Sequence, residues 1–286
     1  MNDRKESSRG IKQGDRSDRL PVSASGQITL LSDFGTSDYY VGAVRGVIVS
    51  INPTAHIIDI SHQISPHHVE EAAFTLLACY RSFQNGTIHF AVVDPGVGSS
   101  RRPIVAKAGD YYFVGPDNGI FSYIFDREPN RRIIHITAEK YFRHPVSKTF
   151  HGRDVFAPVA AELSRGVSLE SFGQEIRDEA RLTPLSPEVT KKGKLKGRII
   201  HIDRFGNCVT NLDRQSFNGL EEQRVVLVVN GRKTQSVQSS YSEGHGHKLF
   251  AIWGSAGFLE ISARNRSAAK VLKAKRGDSV AVEFDG

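Results

Sequence analysis

The strongest constraint on this chain is a rhythm between residues 27 and 94, in which short apolar runs alternate with helical spacing and the runs carry aspartates near their ends. Residues 28–32 are an apolar strand that closes on Asp33, and Gly35-Thr-Ser-Asp38 then supplies turn formers. Tyr40, Val44, Val47, Ile48 and Ile51 recur at helical spacing until Asn52-Pro53 stops them, and residues 56–60 give a second strand around Asp59. Ser65-Pro66 is expected to open a second helix through Glu70, Phe74, Leu77 and Ala78, because proline near a first turn sacrifices no hydrogen bond. A third strand over 87–93 leads into Asp94. This alternation predicts an α/β fold with a largely parallel central sheet covered on both faces.

Downstream, strands are expected at 104–108, 111–115 and 132–136, with a turn at Gly115-Pro-Asp-Asn-Gly119 and a closing helix over 154–163. Periodicity fades between 176 and 194, where Pro184, Pro187 and a lysine run mark a linker. After it come strands at 198–203, 209–212, 224–229, 249–253, 258–262 and 279–284, with Asn230-Gly231 as a hairpin signal. The expected organisation is therefore a disordered leader over 1–26, an α/β domain over 27–175, a linker over 176–194 and an all-β, barrel-like domain over 195–286.

Charge narrows the function classes. The 286 residues carry a net charge of +7, but the excess is dispersed: the first 26 residues hold six Lys/Arg against four Asp/Glu, and Arg101-Arg102 and Arg131-Arg132 stand apart from aromatics. Nucleic acid is not the expected partner. Two distant cysteines, Cys79 and Cys208, suggest neither a disulfide scaffold nor a zinc cluster. The leader lacks the apolar run of a signal peptide and no later segment is long enough to span a membrane, so a cytoplasmic protein without membrane partners is expected. Histidines at His67-His68, at His144 with His151, and in Gly244-His-Gly-His247 lack metal-ligand spacing, and no metal is expected.

Open parallel sheets bind ligands beyond the carboxyl ends of their strands, which draws attention to Asp33, Asp59 and Asp94. An aspartate there can cap a turn, or it can grip a ribose diol. Asp94-Pro-Gly-Val-Gly98 lets a backbone approach a ligand, and Arg101 can fold back to the carboxylate. The third glycine of a dinucleotide fingerprint is missing. His151 precedes a helix whose dipole favours the neutral imidazole. In the second domain Asp203-Arg-Phe-Gly-Asn207 offers a carboxylate, the Phe205 face and the Asn207 amide. Ser255, Glu260 and Asn265 form a similar set within residues 254–265.

Taken in order, Ser32-Asp-Phe-Gly-Thr-Ser-Asp38, Asp94-Pro-Gly-Val-Gly98 with Arg101, Gly115-Pro-Asp-Asn-Gly119, Phe150-His-Gly-Arg-Asp154 and Asp203-Arg-Phe-Gly-Asn207 resemble the S-adenosyl-L-methionine hydrolases, or hydroxide adenosyltransferases, relatives of fluorinase and chlorinase. The resemblance runs from Ile28 to Gly286. It implies a homotrimer with sites between the α/β domain of one subunit and the β domain of the next, and no cofactor. It also implies that S-adenosyl-L-methionine is hydrolysed to adenosine and L-methionine. Asp94, Arg101 and His151 would position water, Asp33 the ribose hydroxyls, Asp203 the methionine ammonium, and Phe205 with Asn207 the adenine. Asp38, Phe150, Ser255, Glu260 and Asn265 are further substrate-binding candidates. Two departures stand out: Arg266 follows Asn265 where the family usually has glycine, and His67 occupies a position often aromatic in the halogenases. Rival readings are a halogenase of the same superfamily and a non-catalytic binder of adenosyl ligands or nucleic acid.

Overall fold

A computed structural model describes residues 23–190, 194–217, 224–243 and 248–284. Most of the expected leader, the lysines at 191 and 192, and the Gly244-to-His247 histidine pair lie outside the described residues. Ser25 and Gly26 are already tied to the fold, through Ser25 N–H to the Gly86 carbonyl at 2.7 Å and His56 N–H to the Gly26 carbonyl at 2.8 Å.

The first sheet contains β1 (Gln27–Ser32), β2 (His56–Ser61), β3 (Ile88–Val92), β4 (Pro103–Ala108), β5 (Tyr111–Pro116), β6 (Arg131–Ile136) and β7 (Gly173–Ile176), in the order β2-β1-β3-β5-β4-β6-β7. β2, β1, β3 and β5 run parallel, whereas β4, β6 and β7 join by antiparallel pairing. The parallel half is the functional one. Helices α1 (Tyr40–Ile51) and α4 (Ala157–Ser164) cover one face through Val44, Ile48, Val159 and Leu163 against Ile28, Leu30 and Phe90. Helices α2 (Val69–Cys79) and α3 (Ser122–Arg127) cover the other through Leu76 and Ile124 against Leu31, Ala91 and Phe113. Strand side chains thus alternate between two buried cores, as a doubly covered sheet requires.

Two helix expectations need correction. Ser65-Pro66 does not open α2, which starts at Val69, because His67 is left-handed (φ +66°) and gives its N–H to Asp33 instead of a helical ladder. The helix expected from residue 154 begins instead as a π-helical turn, Gly152–Phe156, before α4. Pro158 explains part of this: it has no N–H for the Asp154 carbonyl, which accepts from Arg143 N–H at 2.8 Å. Asp59 also lies within β2 rather than beyond it, paired with Arg45.

The second sheet holds β8 (Glu188–Val189), β9 (Leu195–Ile202), β10 (Cys208–Asp213), β11 (Val225–Val229), β12 (Arg232–Lys233), β13 (Gln235–Gln238), β14 (Leu249–Trp253), β15 (Phe258–Ala263) and β16 (Ser279–Phe284). Its order is β12-β11-β16-β9-β10-β15-β14-β13, with β8 paired to β9. β11 packs back against β13 and β14, so the sheet nearly closes into the expected barrel around Leu227, Leu259 and Ile261. Asn230 and Gly231, at φ +51° and +75°, form the two-residue turn between β11 and β12. A short helix, α5 (Ala268–Leu272), is capped by Ser267 Oγ accepting from Lys270 N–H at 3.1 Å.

Ala73, Phe74 and Tyr123 from the first domain pack with Ile200, Val209 and Phe258 from the second, giving the two sheets a shared apolar seam. Among the described residues, no helix is long and apolar enough to cross a membrane.

Candidate active site

Asp94 follows β3 in a loop braced from behind: the Asn118 side-chain amide donates to the Val93 carbonyl at 2.8 Å, and Asp117 anchors Arg102 and the Ala180 amide. Arg101 folds back as its spacing predicts. Its Nε donates to Asp94 Oδ1 at 3.0 Å and its Nη2 to Oδ2, while Nη2 also reaches His151 Nδ1 at 2.8 Å. The Arg101 and Asp94 side chains are only 9% and 6% exposed, so this ion pair is held in a water-poor setting where its geometry is firm. Arg101 Nη1 is buried with no hydrogen-bond partner among the described residues, and the guanidinium stacks on Phe156.

A guanidinium only donates, so His151 Nδ1 must accept and the neutral ring carries its proton on Nε2. Burial and the neighbouring Arg101 both push the His151 pKa below its ordinary value, favouring that neutral ring. The π-helical turn that starts at Gly152 presents His151 from the end of a helix. Asp154 is not a simple cap: its fully buried carboxylate binds Arg153, Arg143 and the Ser147 amide. Burial alone would raise the Asp154 pKa, but Arg153 and the other donors bring it below the usual carboxylate value.

Asp94 and His151 line a cleft of about 280 Å³ together with Asp33, Phe34, Tyr40, His67, Thr149 and Phe150. Arg101 is not on its wall and acts from behind the other two. Phe34, Tyr39, Tyr40 and Phe150 form a packed aromatic group beside the cleft, with Phe150 edge-on to Phe34 and Tyr40. Tyr40, Thr149 and the His67 turn were not singled out as binding residues from sequence; the Tyr39-Tyr40 pair, just after the Asp33 turn, was the available signal. Asp38 is exposed and lines neither this cleft nor the one described next.

A wider cleft of about 870 Å³ in the β domain gathers Asp203, Phe205, Asn207, Ser255, Glu260 and Asn265, together with Tyr241 and Arg266. Here Asp203 is largely committed to its own loop: Oδ1 accepts from Phe205 N–H at 2.9 Å and Asn207 N–H at 2.8 Å, and Oδ2 from Asn207 Nδ2 at 2.9 Å. That leaves Asn207 Oδ1 to receive a donor. Phe205 is 79% exposed. Gly206 (φ +84°) has no room for a β-carbon, which would lie 2.1 Å from Ser267 Oγ. Glu260 is buried, accepts from Tyr241 Oη at 3.2 Å, and has its pKa raised by burial and by Asp203. The two clefts have no lining residue in common.

Other candidates resolve structurally. His144 Nε2 pairs with the Glu139 carbonyl, and His68 with Arg276. Among the described residues no group of three or more His, Cys, Asp or Glu side chains is placed to hold a metal ion.

Residues 28–173 match the family described as SAM hydroxide adenosyltransferase N-terminal domain, and residues 197–281 its C-terminal domain. The chain belongs to the SAM hydroxide adenosyltransferase family. It is 37% identical over 270 residues to the (R)-S-adenosyl-L-methionine hydrolase of Methanocaldococcus jannaschii, covering 90% of this chain and 95% of that one. The corresponding hydrolase of Thermus thermophilus is 36% identical over 259 residues, covering 87% and 96%. A fluorinase of Actinoplanes is more distant, at 26% over 221 residues, covering 68% and 74%. An uncharacterized conserved protein from Thermotoga maritima has a crystal structure that superposes with TM-score 0.83 at 36% identity, covering 89% and 99%.

Proposed function

We propose that this chain hydrolyses S-adenosyl-L-methionine to adenosine and L-methionine, using a water held by Asp94 and His151 to attack the ribose C5′. The observation that carries this reading is the Asp94–Arg101–His151 cluster, in which one guanidinium holds a carboxylate and an imidazole that line the same cleft.

The sulfonium makes methionine a neutral thioether leaving group, so departure needs no acid. Attack is the harder half, and alignment of water opposite the sulfur supplies most of what the protein contributes. His151 Nε2–H donates to the water oxygen, and Asp94 accepts one of its protons. One lone pair then remains for C5′. Because His151 Nδ1 already accepts from Arg101 and the ring pKa is depressed, the imidazole orients while Asp94 receives the proton as the C–O bond forms. A carboxylate is too weak a base to ionise water beforehand, so proton transfer accompanies attack. A halide in the same place would face the Asp94 charge, which favours hydroxide over halide transfer.

In this reading Asp33 holds the ribose diol, with Phe150 beside it, and the β-domain cleft receives the purine and amino-acid ends through Phe205, Asn207, Ser255, Asn265 and the carboxylates Asp203 and Glu260. The family resemblance leads us to assign the complete site to adjoining subunits of a homotrimer; two clefts with no residue in common, Phe205 exposed in one and Tyr39 exposed beside the other, support a site built from two surfaces. The free thiols, Cys79 half-buried and Cys208 buried, accord with a cytoplasmic location.

Chromatography of a reaction in ¹⁸O-water tests the chemistry: adenosine should carry the label in its 5′-hydroxyl. Unlabelled adenosine, or 5′-chloro-5′-deoxyadenosine formed in chloride, would overturn it. Mixing Asp94→Ala and Phe205→Ala chains after reversible dissociation tests the assembly. Shared sites should regain a low-KM activity that neither variant shows alone.

A further inference from the structure

His67 sits on the cleft wall with φ +66°, a left-handed conformation that is strained for a residue with a β-carbon. Such strain persists only where the surroundings over-determine it. The local return is a hydrogen bond from His67 N–H to Asp33 Oδ2 at 2.9 Å. Around it, the Ser65 carbonyl accepts from His68 N–H at 3.0 Å and the His67 carbonyl from Val69 N–H at 3.2 Å. Ser65 N–H in turn donates to Glu71 Oε2 at 3.3 Å.

Apart from the bond to Asp33, these contacts stay within the turn's own segment. Arg276 does so from the β domain, in the loop between α5 and β16. Its Nη2 donates to Glu71 Oε2 at 3.0 Å and its Nη1 to His68 Nδ1 at 3.0 Å. One guanidinium thus fixes both flanks of the strained residue, through the Glu71 carboxylate that holds Ser65 and through the side chain immediately after His67. The pair is well shielded, with Arg276 26% and Glu71 13% exposed, so it is worth more than an ordinary surface ion pair.

We infer that Arg276 is a positioning residue for the ribose end of the site: reaching from the β domain, it locks the left-handed turn at His67 and so fixes the Asp33 carboxylate. The inference rests on the ribose assignment of Asp33 proposed above. The guanidinium fork is essential to it, because an ammonium reaches Glu71 or His68 but not both along the same two lines.

The test uses full-length Arg276→Ala, Arg276→Lys and Asp33→Ala, with S-adenosyl-L-methionine and its 2′-deoxyribose analogue as substrates. Hydrogen exchange at the His67 amide is followed in parallel. In Arg276→Ala the preference for the ribose substrate should fall about tenfold through KM, with kcat held within about twofold, and the His67 amide should exchange faster. Arg276→Lys should recover part of both. An unchanged preference in Arg276→Ala, alongside a lost preference in Asp33→Ala, would overturn the inference while leaving the ribose assignment standing. An intact preference in Asp33→Ala would overturn both. Should the alanine variant fail to fold, unchanged preference and exchange in Arg276→Lys would also sink it.

Discussion

The two clefts hold their aspartates in opposite ways. Asp94 is gripped by a side chain seven residues away, behind the cavity wall, and that side chain also reaches the imidazole fifty residues further on. Asp203 is gripped by the amides of its own five-residue loop. The first arrangement links the loop after β3 to the turn before α4 in one group that aims a small molecule. The second shapes a loop, and the aromatic and amide on that loop are what a ligand meets. In the proposed reaction, chemistry and the ribose belong to the narrow cleft, and recognition of the purine and amino-acid ends to the wide one.

The sharpest way to break this division is Asp94→Ala. Turnover should fall about 10³-fold with KM changed only a few-fold, measured by adenosine release under steady state. A rise in KM with turnover preserved would erase the distinction. On the other side, Gly206→Ala should destabilise the β domain by about 2 kcal/mol, since its β-carbon collides with Ser267 at a positive φ; a thermal melt reads this. Phe205→Ala should raise KM about tenfold while leaving turnover nearly intact, because a stacked base loses its platform.

The smallest effect sharpens the picture of the narrow cleft. His151 must be neutral to accept from Arg101, and its pKa lies below the ordinary imidazole value of about 6.5. Activity should therefore stay level as pH falls through that value and decline only below it. The folded chain resists a proton that the unfolded chain accepts, so stability assigned to this ring is present above the unfolded pKa and fades as pH drops through the folded one. Arg101→Met removes one of the two depressing influences, leaving burial, and should move the acidic limb of kcat/KM upward. A limb that stayed in place would show that burial alone sets it.

How much of this could be read from residues differs by the kind of constraint. The parallel half of the first sheet follows from hydrophobic spacing and turn residues, and Arg101 folding onto Asp94 follows from a short glycine loop. The antiparallel half was legible in principle, since only Gly109-Asp110 separates two strands and so short a link forbids a parallel crossover. The strands at 232–233 and 235–238 and the helix at 268–272 are too short to leave a periodic signal. The late start of α2 could not be read locally at all: proline at 66 permits a helix, and the reason none begins there comes from Asp33 on one side and Arg276 on the other. Cavity-lining aromatics such as Tyr40 were hidden for a related reason, because helical spacing gives the same weight to a core residue as to one beside a ligand.

The wide turn at Gly152–Phe156 has a consequence for how such a site tolerates change in chain length. A π turn holds one residue more than the α-helical ladder it feeds, and one residue in a helix is about 100° of rotation. Deleting a single residue there would let the ladder close regularly and, with α4 anchored in the core, swing His151 a quarter-turn or more around the axis, away from its guanidinium. Insertions and deletions that a surface loop absorbs would here act as an on-off change in the angular phase of the imidazole.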